Sequence, residues 1–167
     1  MIPWIEKYRP QTIDEIELDE SIRCQLKQYT LESLPNIIIC GLPGTGKTST
    51  ALIIAKRLLT CTDACIELNA SDNRGITMIN DLTNNFVRKQ FVDTRKIIIL
   101  DEADNITKKA QQQLINLIEN YPNIRFIMTC NSINCMIEAL QSRCVLLQFD
   151  RLNTACLNKK LSSIICH

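Results

Sequence analysis

Residues 36–40 (NIIIC) form a short β-branched run that stops at Gly41-Leu42-Pro43-Gly44-Thr45-Gly46-Lys47-Thr48. Residues 47–59 then carry apolar side chains at helical spacing: Leu52, Ile53, Ala55, Leu58 and Leu59. A strand that feeds a glycine loop and opens directly into a helix leaves few architectures available. A strand apolar on both faces needs a layer on each side, and the helix must fold back onto the sheet to supply one of them. The octet matches G-x-x-x-x-G-K-[ST] in the strand–loop–helix context that the motif requires. Its glycines let backbone N–H groups converge on phosphates, and the helix N-terminus adds a favourable dipole. On this reading the loop from Gly41 to Ser49 cradles nucleotide phosphates. Lys47 bridges the β- and γ-phosphates, and the Thr48 hydroxyl ligates Mg²⁺.

The same alternation continues along the chain. Residues 65–68, 96–100, 125–130 and 145–149 read as strands, and residues 77–88 and 108–120 as helices, with one more helix in 151–167. The expected fold is α/β: a P-loop NTPase with three layers around a parallel five-stranded sheet, and with ligands at the carboxyl ends of the strands. At 167 residues this is one domain, with residues 1–150 as its nucleotide-binding core. Net charge is +1, so contact with nucleic acid has to come from a local patch. MIPWIEKYRP lacks the apolar run of a secretory leader, and no stretch reaches the ~18–20 residues of a membrane span. The expectation is a chain that is neither secreted nor membrane-bound. Its nine cysteines are then reduced thiols, with Cys40 and Cys130 acting as small hydrophobes inside strands. Cys61-x3-Cys65 and Cys130-x4-Cys135 lack the usual zinc spacing, and the single histidine is His167, so neither structural metal nor disulfide is expected.

The strand ends carry the remaining chemistry. Residues 97–102 (IIILDE) end in two carboxylates: Asp101 suits the Mg²⁺ shell, and Glu102 suits polarising an attacking water. Asn131 ends the next strand, where a neutral amide can hydrogen-bond a γ-phosphate or the water. Arg143 precedes the last strand, and spacing alone reads it as a salt-bridged surface arginine.

Several blocks now carry a family resemblance: Pro3-Trp4-Ile5-Glu6-Lys7-Tyr8-Arg9-Pro10, the GLPGTGKTST loop, and Glu67-Leu68-Asn69-Ala70-Ser71-Asp72-Asn73-Arg74-Gly75-Ile76. Asp101-Glu102-Ala103-Asp104, Cys130-Asn131 and Ser142-Arg143-Cys144 follow in order. Together they resemble the small subunits of replication factor C, the sliding-clamp loader within the AAA+ ATPases, over residues 4–152. The resemblance implies ATP and Mg²⁺ as cofactors, with the Tyr8, Arg9 and Pro10 segment against the adenine. It implies that Arg143 is an arginine finger acting in trans on a neighbour's ATP, where a planar guanidinium suits developing phosphoryl charge. It also implies DNA contacts by Arg74, Lys108 and Lys109, with a hetero-pentamer of clamp-loader subunits, a ring-shaped clamp and primer-template DNA as partners. The location implied is the nucleus in a eukaryote and the cytoplasm otherwise.

Departures from the pattern carry expectations of their own. Leu42 replaces a proline, and Ile115 and Asn116 stand where the family commonly has two arginines, which weakens that basic surface. Residues 151–167 read as the start of a helical lid, with the rest of the lid, its sensor-2 arginine and the collar missing, as expected of either a fragment or a reduced subunit. An alternative function is a reduced, non-catalytic ATP-binding subunit that lends Arg143 to a neighbour. The letters D-E-A-D alone do not make an RNA helicase, because the Ser-Ala-Thr block and a second RecA-like domain are absent.

Overall fold

Three of the expected strands are runs of isoleucine or leucine, and all of them become strands of one sheet. The computed structural model describes residues 3–70, 86–87, 95–151, 158 and 162. Most of the helix expected over 77–88 lies outside them, as do Arg74 and nearly all of the segment after 151. The described elements run α1 (Trp4–Lys7), α2 (Glu20–Gln28), β1 (Ile37–Gly41), α3 (Lys47–Leu58) and β2 (Cys65–Asn69). They continue with β3 (Lys96–Asp101), α4 (Lys108–Asn120), β4 (Ile124–Cys130), α5 (Glu138–Gln141) and β5 (Val145–Phe149).

The five strands pair in the order β2-β3-β4-β1-β5, and each pairing is parallel. The expected α/β sheet is therefore present. Successive residues on a strand face opposite sides, and the burial follows that period of two. Ile38, Cys40, Ile98, Leu100, Phe126, Met128 and Cys130 pack on one face with Ala110, Leu114 and Leu117 of α4. Ile37, Ile39, Ile97, Ile99 and Ile127 pack on the other with Ala51, Ile53, Ile54 and Ala55 of α3. Placing α3 and α4 on opposite faces is what right-handed crossovers demand, because the chain leaves β1 in one direction across the sheet and returns from β2 to β4 in the other. Each fully buried Ile contributes roughly 1.5–3 kcal/mol, which is why this sheet forms the centre of the molecule.

Two devices fix the ends of the elements. Gln111 of α4 is fully buried and donates Nε2–H bonds to the Ile106 and Cys135 carbonyls, while its Oε1 accepts from the Ile137 N–H at 2.8 Å. That single side chain ties α4 to the loop leaving β4. At the last residue of β1, a Cβ on Gly41 would lie 2.7 Å from the Phe149 carbonyl oxygen, so only glycine lets β1 and β5 meet there.

Candidate nucleotide-binding site

β1, β3 and β4 are adjacent or one strand apart, so their carboxyl ends deliver Gly41, Asp101 and Asn131 to one edge of the sheet. This is where a doubly wound sheet holds ligands. The loop after β1 turns into α3 through Gly46, whose φ of 90° lies in the left-handed region that a side chain resists. A Cβ on Gly46 would also meet Ile16 Cγ2 at 3.1 Å, so the N-terminal segment packs directly against the loop. Ile13 and Ile16 of that segment belong to the core cluster beneath α3.

Lys47, at the first position of α3, is buried and spends its three donors inside the site. Its Nζ donates to the Gly41 carbonyl at 2.8 Å, the Leu42 carbonyl at 2.9 Å and Asn131 Oδ1 at 3.0 Å. Thr45 closes the loop by donating to the Leu42 carbonyl at 2.9 Å. The loop residue and the strand-end amide expected to share a γ-phosphate are thus in direct contact. Asn131 is held in turn by Asp104, whose Oδ2 accepts from its backbone N–H and its Nδ2.

One helical position on, Thr48 donates its hydroxyl proton to Asp101 Oδ1 at 2.8 Å. Its lone pairs are then left for a cation, as is the second oxygen of the Asp101 carboxylate. A hydroxyl and a carboxylate converging at a phosphate loop are the hard oxygen donors that Mg²⁺ takes, so these residues fit that ion. Glu102 follows with φ 55° and ψ 42°. It is the non-glycine residue with positive φ among those described, and such a conformation costs roughly 1–2 kcal/mol. Its carbonyl accepts from the Asn105 N–H at 2.9 Å, which starts a short turn after the strand.

Sequence reading missed Thr129. This β4 residue is 1% exposed, and its hydroxyl donates to Asp101 Oδ1 while accepting from the Glu102 N–H at 3.1 Å. A threonine in an apolar strand reads as a strand former. The available signal was that it is the one hydroxyl of IRFIMTC, on the face toward α3. On the opposite face of the sheet, Cys40 and Cys130 are register partners, and the Cys40 thiol donates to the Asn131 carbonyl. Burial pushes the Cys130 thiol up to about 12, and the neighbouring Cys40 and Asp104 add to this while Lys47 opposes it.

The remaining expected residues sit elsewhere. Leu42, Pro43 and Gly44 are exposed at the tip of the loop, and Ser49 is half-buried in the first turn of α3. Tyr8, Arg9 and Pro10 are half-buried, with the Tyr8 ring edge-on to Trp4 at 6.2 Å. Lys108 and Lys109 are exposed at the start of α4, behind the Thr107 cap. Ile115 is part of the core under α4, so of the two positions where arginines were expected only exposed Asn116 faces solvent. Arg143 lies two residues before β5, at the amino edge of the sheet. Gly41 pairs with Phe149 at the opposite end, four strand positions from the Ile37–Val145 pair, or roughly 13 Å at ~3.3 Å each. Its Nε and Nη2 donate to Glu119 Oε1 at 2.9 and 2.6 Å, and its Nη1 to the Ala139 carbonyl at 2.8 Å.

Residues 37–151 match the model of the ATPase family associated with various cellular activities (AAA). The chain is 40% identical over 171 residues to replication factor C subunit 4 of Saccharomyces cerevisiae, covering 98% of this chain and 53% of that protein. It is 43% identical over 167 residues to the replication factor C small subunit of Methanosphaera stadtmanae, covering 97% and 52%. The chain therefore spans about half the length of these relatives. In fold it is similar to the Thermotoga maritima RuvB Holliday junction branch migration motor, with a TM-score of 0.74, 20% identity and coverage of 95% of this chain and 55% of that one. With 115 consecutive residues of this chain matched to the AAA model, from the first residue of β1 to two residues beyond β5, the chain belongs to the AAA family of ATPases.

Proposed function

We propose that this chain binds ATP with Mg²⁺ at the loop Gly41–Ser49, hydrolyses it, and works as one subunit of a sliding-clamp loader on primed DNA. The observation that carries the reading is the convergence of Lys47, Asn131, Thr48 and Asp101 at the carboxyl ends of three adjacent parts of the sheet. A triphosphate in the loop would take over the Lys47 donors now spent on the Gly41 and Leu42 carbonyls. Thr48 and Asp101 would hold Mg²⁺, which would supply positive charge against the phosphates. Glu102 accepts a hydrogen bond from the attacking water, and Asn131 steadies the γ-phosphate. Tyr8, Arg9 and Pro10 border the adenine.

The position of Arg143 favours action on a neighbour. Its own loop is at the other end of the sheet, beyond the reach of one side chain, so a phosphate it meets belongs to an adjacent subunit. The pair with Glu119 is solvent-exposed, at 38% and 50%, and such pairs contribute only ~0.2–1 kcal/mol, so exchanging or sharing it is cheap. In this reading residues 151–167 begin a helical lid, and Arg74, Lys108 and Lys109 face the template strand. The complex is a hetero-pentamer that engages a ring-shaped clamp, in the nucleus of a eukaryote and in the cytoplasm otherwise.

The reading is tested by measuring ATP turnover of the chain alone, with partner clamp-loader subunits, and with primer-template DNA added. Slow turnover alone and a rise of ~10³-fold or more in the full assembly are expected if an arginine is delivered in trans. An assembly whose turnover ignores both the partners and DNA overturns the clamp-loader role. ATP binding with no turnover in any mixture would instead identify a non-catalytic subunit.

A further inference from the structure

Both acidic residues of the site are tied to one oxygen atom that belongs to neither, Asp101 through its carboxylate and Glu102 through its backbone N–H. The Thr129 hydroxyl donates its proton to Asp101 Oδ1 and accepts the Glu102 N–H, so one buried side chain on β4 fixes a side chain and a backbone at the end of β3. We infer that Thr129 is a positioning residue, setting the Asp101 carboxylate for the cation and holding the left-handed backbone of Glu102 that aims its carboxylate. The inference rests on the ATP-site reading given above.

The chemistry is specific to a hydroxyl. It supplies one donor and two acceptor lone pairs, and Thr129 uses both kinds at once. Asp101 Oδ1 takes two hydroxyl protons, one from Thr48 on α3 and one from Thr129 on β4. The carboxylate is thereby pinned from both sides, with its orientation shared between a helix and a strand. Glu102 needs the same oxygen for another reason. Its φ of 55° is disfavoured for a residue with a side chain, and its N–H, pulled toward Thr129, is what keeps the peptide turned. Valine has the same shape as threonine and can make neither bond, while serine keeps both and loses only a methyl group.

Calorimetric ATP titration of the parent chain, Thr129→Val and Thr129→Ser, each with Mg²⁺ and with a chelator, tests this alongside steady-state turnover. Partners that orient a metal ligand are worth about ten- to a hundredfold, so Thr129→Val should lose about tenfold of the affinity that Mg²⁺ adds and at least that much turnover, while chelator affinity stays within about twofold. Thr129→Ser should restore both to within about threefold. Should Thr129→Val not fold, Thr129→Cys, whose thiol is a weak donor of similar size, replaces it in the same comparisons. A valine or cysteine variant with the parent's Mg²⁺ response and turnover overturns the inference, as does a serine variant equally impaired. Absence of ATP binding in the parent itself overturns the site reading and this inference with it, and is told apart by appearing before any substitution.

Discussion

Glu102 combines a costly backbone with an exposed task. The strained peptide points its carboxylate out of the strand end, where Asn105 Nδ2 lies 3.5 Å from Oε2 and nothing buries it deeply. Removing the charge leaves the Lys47–Asn131 and Asp101–Thr48 contacts untouched. Glu102→Gln should therefore bind ATP like the parent and turn over ~10²–10⁴-fold more slowly, the range for a lost general base. Equal turnover, measured by phosphate release, would remove Glu102 from the water-positioning role. The thiols make a different prediction. Burial raises Cys130 and Cys144 to about 12 and Cys65 to about 11 from an ordinary 9.0. Because the unfolded chain loses these protons first, their stabilisation is complete below pH 9 and fades between 9.0 and about 12. The denaturant midpoint should fall from about pH 8 to about pH 10.5, and Cys65→Ala with Cys144→Ala should make that fall shallower. A parent midpoint that does not change over this range contradicts the assigned burial.

Among the elements, the meeting of β1 and β5 is the most exacting. A methyl group on Gly41 would strike a backbone oxygen of the neighbouring strand, which cannot swing aside as a side chain can. Gly41→Ala should cost about 1–3 kcal/mol. At ~2–4 °C per kcal/mol for a chain of this size, a lowered melting temperature in a thermal scan is the readout. A parent-like melt would place the strands further apart than they are here. This contact also shows what a sequence can and cannot display. The strands were legible, because β-branched runs such as residues 37–39 and 97–99 are dictated by burial on both faces. The order β2-β3-β4-β1-β5 was not, since it depends on which crossover reaches which edge, and no local pattern encodes that. The helix α2 was missed because it is short and mostly polar, with only Leu26 of its nine residues buried. In the site, Lys47, Thr48, Asp101 and Asn131 were legible from motif and strand end. Thr129 and Glu119 were not, because each acts through a residue distant in sequence, at separations of 28 and 24.

At the scale of the whole molecule, the sheet places the glycine loop at its carboxyl edge and Arg143 at its amino edge. A parallel sheet makes this arrangement natural, since every strand points the same way. It follows that Arg143→Ala, mixed with partner subunits carrying intact or inactivated loops, should silence the neighbour's site and leave its own turning over. Loss of its own turnover with the neighbour unaffected would mean action in cis. Glu119→Ala should leave folding nearly unchanged, because an exposed pair contributes ~0.2–1 kcal/mol, while the same site-resolved assay reports whether Arg143 still acts on a neighbour as proposed. All of this depends on the loop holding ATP. The most direct measurement is a calorimetric titration of ATP with Mg²⁺ into the parent chain and into Lys47→Ala. The account predicts one site in the parent and an affinity at least about tenfold weaker in the variant, ~1.4 kcal/mol or more. Equal affinity in the two proteins, or no binding by the parent, would contradict it.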